Sequence, residues 1–141
     1  MKRIVVSIFF ILLFAGCGRN NAEETPYEHG FLKEFMQTYA VTEESPIDVL
    51  HWRNQNLHNP GVFYFFNDDG MYTMANYDEQ TRRDLEIENI KLDNERITIY
   101  VVENQVVDTV GGNVDYYSTM YLLSDLSATN RNVTVEKMAT N

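Results

Sequence analysis

Nine tyrosines and eight phenylalanines are spread unevenly over 141 residues. Phe63, Tyr64, Phe65 and Phe66 run into the turn signal Asn67-Asp68-Asp69-Gly70, and Tyr72 follows it. Tyr100, Tyr116, Tyr117 and Tyr121 extend the aromatic set. Rings can cover the apolar part of a small molecule while phenol hydroxyls orient its polar end. Alternate residues of a strand share a face. The candidate lining of such a cavity is therefore Tyr64, Phe66, Tyr72, Met74, Tyr100, Tyr117 and Tyr121. The alternatives are a filled core, because a small barrel is just wide enough for its own side chains, and a surface aromatic patch for a protein partner.

Other chemistry finds little support. His51 and His58 are seven residues apart across a loop-like stretch, at no recognised metal spacing, and His29 stands apart. Asp68-Asp69-Gly70 lacks the ladder of oxygen ligands of a calcium loop and reads as a turn. Asp84, Glu86 and Glu88 alternate as one wet strand face. No serine lies in Gly-x-Ser-x-Gly, and Gly111-Gly112 leads into neither a helix nor a lysine, as a phosphate loop would. The expectation is a protein with no catalytic residues, no metal and no cofactor.

The N-terminus carries the clearest signal. Lys2 and Arg3 precede an apolar run, Ile4 to Phe14, broken only by Ser7. As a helix that run spans roughly 16 Å, about half the hydrocarbon thickness of a bilayer. It has the layout of a secretory signal peptide. Leu13-Phe14-Ala15-Gly16-Cys17 resembles the lipobox of bacterial lipoproteins, with Phe14 where the family usually has leucine. The resemblance implies diacylglycerol on the sulfur of Cys17, cleavage after residue 16, and export. Gly18 in place of Asp implies the outer membrane, facing periplasm or cell surface. Residues 17–25 then form the lipidated cysteine and a flexible polar tether, and residues 26–141 the domain.

Asp and Glu number 21 against 11 Lys and Arg, a formal charge of -10. Loss of residues 1–16 removes Lys2 and Arg3 and takes the charge to -12. Such a polyanion is poorly suited to nucleic acid or to anionic lipid headgroups. Its one cysteine rules out an internal disulfide.

The elements follow from period and punctuation. Thr25-Pro26-Tyr27-Glu28 matches a helix capping box, and Phe31, Leu32, Phe35 and Met36 supply one apolar face. This predicts a short N-terminal helix over 26–36. Residues 37–42 read as strand, and residues 46–52 as either helix or strand. Val62–Phe66 and Met71–Tyr77 flank a turn and form the clearest hairpin. Leu85 and Ile87, then Ile97, Ile99 and Val101, alternate with polar or outward residues, and Val106–Val110, Val114–Leu123 and Asn132–Met138 complete the series. About eight short strands with turn signals every 8–12 residues point to an antiparallel barrel or sandwich.

The pattern resembles the lipocalin-like domains of small bacterial lipoproteins. Phe35 to Val41 stands where that family has a leucine, a Gly-x-Trp and an apolar residue, with Gln37 and Tyr39 replacing the glycine and tryptophan. Phe63–Tyr72 resembles its aromatic Asp-Gly hairpin, and Tyr117–Val135 its closing hairpin. The resemblance implies a mainly β fold, an antiparallel up-and-down eight-stranded barrel, and no catalytic residue. Asp108-Thr109-Val110 resembles an O-glycosylation signal of exported proteins, with Thr109 as acceptor.

Two functions fit. One is non-catalytic binding of a small apolar or amphipathic ligand within the barrel by an outer-membrane-anchored lipoprotein. The other is a protein-interaction lipoprotein, such as an inhibitor, immunity factor or envelope assembly subunit, with a filled barrel. Both have the membrane as partner through Cys17.

Overall fold

A computed structural model describes residues 27, 29–78, 81–105, 118–126 and 131–139. The strands are β1 (Gly30–Phe31), β2 (Gln37–Thr38), β3 (Gly61–Asn67), β4 (Gly70–Asn76), β5 (Arg83–Leu92), β6 (Arg96–Gln105), β7 (Ser118–Ser124) and β8 (Asn132–Lys137). One helix, α1 (Ile47–Asn56), precedes β3. The strands form two four-stranded sheets, ordered β1-β5-β6-β8 and β2-β7-β4-β3.

Among the described residues, the expected closed antiparallel barrel is not formed. Both sheets are open, and β8 runs parallel to β6, pairing Ile97 with Val133 and Ile99 with Val135. An up-and-down barrel requires each strand to reverse onto its neighbour, and this parallel return breaks that order. β1 and β2 have two residues each, too short to close the gap between sheets.

The predicted N-terminal helix is also replaced, by β1 and a 3-10 turn at Lys33–Phe35. Gly30 has φ of +145°, outside helical backbone. The Leu32 amide then donates to the Ile90 carbonyl at 2.7 Å, and its side chain is buried. Sheet pairing and burial override the capping box there. Residues 46–52, open between helix and strand, begin α1. Pro46 and Asp48 stand at its start, as helix N-termini favour.

Two clusters hold the fold. Between the sheets, Met71, Ala75 and Leu123 meet Ile87, Ile90, Leu92, Ile97, Ile99 and Val101. Under the helix, Val49 meets Tyr72, Met74 and Met120, with Trp52 and Phe65 beside them. β4 serves both clusters, and all seven of its residues are buried. A bulge between Ile87 and Asn89 switches the alternation, so that Ile90 and Leu92 join Ile87 on the inner face.

Asn76 ties the helix to the sheet. Its Nδ2 donates to the carbonyls of Asn56 at 2.7 Å and Asn59 at 2.8 Å. Its Oδ1 accepts from the Ser118 hydroxyl at 2.9 Å. At the other end of α1, Asn67 Nδ2 donates to Asp48 Oδ2 at 3.1 Å.

Candidate functional site

The structure divides the seven aromatic and methionine candidates. The hairpin pairs Asn67 with Gly70 across the two-residue loop Asp68-Asp69. Opposed residues therefore have numbers of opposite parity: Tyr64 faces Thr73, and Phe66 faces Met71. Tyr64 and Phe66 thus lie on the intersheet face of β3, with Phe66 packed on the intersheet cluster. Tyr72 and Met74 lie on the opposite face, under α1.

Tyr121 is opposite Thr73 and packs on the intersheet cluster. Tyr100 lies on the outer face of its sheet, its ring 5.9 Å from that of Phe31. Tyr117, Thr109, Cys17 and the 1–16 and 17–25 segments lie outside the described residues, as does the expected strand 106–110.

Tyr72 is 1% exposed. Burial, aided by the Asp69 carboxylate near its hydroxyl, pushes its pKa up to about 12. The hydroxyl stands 3.4 Å from Asp69 Oδ2. The ring lies edge-on to Tyr39 at 5.0 Å. Burial likewise raises Tyr121, with the Glu86 and Glu88 charges adding to it. These phenols stay neutral and act as packed core groups with a polar tip. The Thr73 hydroxyl, on the intersheet face between Tyr64 and Tyr121 in register, has no hydrogen-bond partner, nor do Arg131 Nε and Nη1.

Open space lies elsewhere, where the sheets part. A groove of about 380 Å³ is lined by Pro60, Gly61 and Val62 on one sheet and Leu85, Val101, Glu103, Val135 and Lys137 on the other, with Asp78 at its end. Val62, Leu85 and Val101 supply an apolar floor. Val135 points inward in register with buried Ile99, yet it is 45% exposed because the other sheet does not cover β8. At the rim, Glu103 is held between Arg83 Nη1 at 2.9 Å and Lys137 Nζ at 3.6 Å. Among the described residues, β3 pairs only with β4 and β8 only with β6. Both strands bounding the groove therefore carry a row of backbone donors and acceptors on their outer edges.

Compared with protein-family models, curated proteins and solved structures, the chain matches none.

Among the described residues, no group of three or more His, Cys, Asp or Glu is arranged to hold a metal ion. His29, His51 and His58 are exposed. Burial raises the Asp84 pKa, opposed by a hydrogen bond from the Leu85 amide. Glu88 pairs with Lys33. No helix among the described residues is long and apolar enough to cross a membrane.

Sequence reasoning missed the groove. Val133 and Val135 alternate in the last strand and signal a half-buried face. Nothing local, however, discloses that β8 returns parallel to β6 and outside the cover of the second sheet.

Proposed function

We propose that this chain is a lipid-anchored envelope protein that binds a protein partner without catalysis, receiving an extended segment of that partner in the groove between β3 and β8. One observation carries the reading: two strand edges, unpaired among the described residues, flank one apolar groove. Strand addition at such an edge gives affinity through main-chain hydrogen bonds, and side-chain pockets give selectivity. Val62, Leu85, Val101 and Val135 are suited to apolar residues at alternate positions of the incoming strand. The formal charge of -12 left after loss of residues 1–16 favours a basic partner and speeds encounter with it. The core between the sheets is occupied by side chains such as Ile90, Ile97 and Leu123, each fully buried. The anchor is read from the lipobox resemblance at Cys17, and the outer membrane from Gly18.

The groove volume favours a second reading. It lies at the low end of the range for small-molecule sites, roughly 300–1,000 Å³, so a small amphipathic ligand is the competing occupant. Native mass spectrometry of the full acylated chain, released gently from its own envelope, separates the two. The expected result is a complex with a second polypeptide, weakened by Val135→Lys. A small adduct lost on Val135→Lys, with no second polypeptide, would overturn the protein-binding reading.

A further inference from the structure

The two strands that border the groove offer different edges. Along β8, the Asn132 amide donates to the Glu95 carbonyl at 3.0 Å, and the Met138 amide to the Val101 carbonyl at 2.8 Å. Backbone groups point to alternate sides along a strand. Even-numbered residues of β8 therefore turn their N–H and C=O toward β6. Val133, Val135 and Lys137 turn theirs outward, and among the described residues no strand pairs with them. The side chains of these three residues face the seam: Val133 packs on the intersheet cluster, and Val135 and Lys137 line the groove. Outward donors and acceptors that recur roughly every 7 Å are met in full only by the backbone of another extended chain.

The outer face of β8 adds a preference of charge. Glu136, in register with Tyr100, borders a hollow of about 300 Å³. Its lining sets Asp93, Glu95 and Glu136 against Lys91 and Arg96, with Tyr100 as an aromatic wall. Lys91 pairs with Asp93 at 3.3 Å. Among the described residues, Glu95 and Glu136 have no ion-pair partner. Arg96 offsets one of them, so the hollow keeps an excess of negative charge. A strand laid along β8 brings alternate side chains within cross-strand reach of Glu136. A Lys or Arg at that position meets the carboxylate and lays its stem against Tyr100. The β3 edge offers no such contact. Its outward amides are those of Val62, Tyr64 and Phe66, and on its other face Phe63 and Phe65 pack under α1.

We propose that the partner's extended segment adds to β8 as the fifth strand of the β1-β5-β6-β8 sheet, pairs with the backbones of Val133, Val135 and Lys137, and alternates apolar with basic side chains. This deepens the protein-binding reading of the groove and rests on it. The apolar set covers Val133 and Val135 in the seam, and the basic set lies beside Glu136 on the outer face. Backbone pairing supplies affinity and the alternation supplies selectivity. Because the Val135 N–H points away from β6, a proline at that position spares the sheet of the free protein and removes a donor from the complex.

The test uses the full acylated protein in detergent micelles with two short capped peptides, one alternating valine with lysine and the other valine with glutamate. Amide hydrogen exchange, resolved by NMR, is the readout. The valine–lysine peptide is expected to slow exchange at Val133, Val135 and Lys137 by about tenfold or more. Thr134 and Glu136, whose amides already face β6, keep their rates. The exposed substitution Glu136→Lys is expected to transfer the effect to the valine–glutamate peptide. Val135→Pro is expected to abolish the protection of Val133 and Lys137 while Thr134 and Glu136 stay protected. Protection of Val62, Tyr64 and Phe66 in place of the β8 amides would overturn docking on β8 and leave the groove reading standing. Equal protection by both peptides would overturn the basic preference. No protection on either edge would overturn the docking, and a second polypeptide still lost from the chain on Val135→Lys would then keep the groove reading alone.

Discussion

Gly70 holds φ of +141° at the exit of the Asp68-Asp69 loop, and a Cβ there would lie 2.1 Å from the Leu123 carbonyl oxygen. The close approach of β4 to β7 depends on this missing atom. Gly61 has a similar φ of +131°, but its added Cβ would meet only the Phe63 ring at 3.8 Å. Gly70→Ala is therefore expected to lose more than about 3 kcal/mol, combining backbone strain with a clash that moves a strand. Gly61→Ala carries the strain alone and is expected to lose about 1–2 kcal/mol. Urea denaturation of both variants checks the order.

Tyr72 makes a separate prediction about pH. Its folded pKa, about 12, exceeds the unfolded value of about 10 because burial disfavours the phenolate. Its contribution is complete below pH 10 and is lost as pH rises through about 12. Denaturation midpoints should fall over that window, and Tyr72→Phe should flatten the fall. An equal fall in the variant would assign it to other groups.

At the scale of elements, α1 depends more on its ends than on its apolar face. Val49 is its one buried residue, while Asn76 bonds two carbonyls at its C-terminal end. Asn76→Ala leaves those carbonyls and the Ser118 hydroxyl short of a partner. It is expected to lower stability by about 2–3 kcal/mol, seen as a lower urea midpoint with an unchanged slope. The strands that pair through short local turns were legible in the sequence. The β3–β4 hairpin, the β5–β6 hairpin and the span of β8 follow from alternation and from Asn-Asp-Asp-Gly and Asp-Asn-Glu turns. The 26–36 helix was misread because a capping box reports local preference, whereas Leu32 is claimed by a core formed with residues far away in the chain. The aromatic set was misgrouped for a simpler reason. A two-residue loop reverses parity across the hairpin, so Tyr64 and Tyr72 face opposite ways.

For the whole molecule, closure was the property that local pattern did not reveal. Alternation reveals strands and faces, but sheet order depends on which distant strands meet, and here β8 joins β6 in parallel. Among the described residues the outcome is a sandwich with a packed centre and an open seam, and that seam brings Val62, Leu85, Val101 and Val135 together. A closed barrel would have hidden these edges; an open one has to cover or use them. Under the proposed function these edges are used, by an extended segment of a partner protein. The most direct measurement places a photo-crosslinking residue at Val135 in the full chain, in its native envelope, with exposed Asn104 on the opposite face of the same sheet as the control. The expected result is a discrete crosslinked polypeptide from position 135, absent from position 104 and removed by adding Leu85→Lys. A position 135 that captures no polypeptide, or the same polypeptide captured equally from position 104, would contradict it.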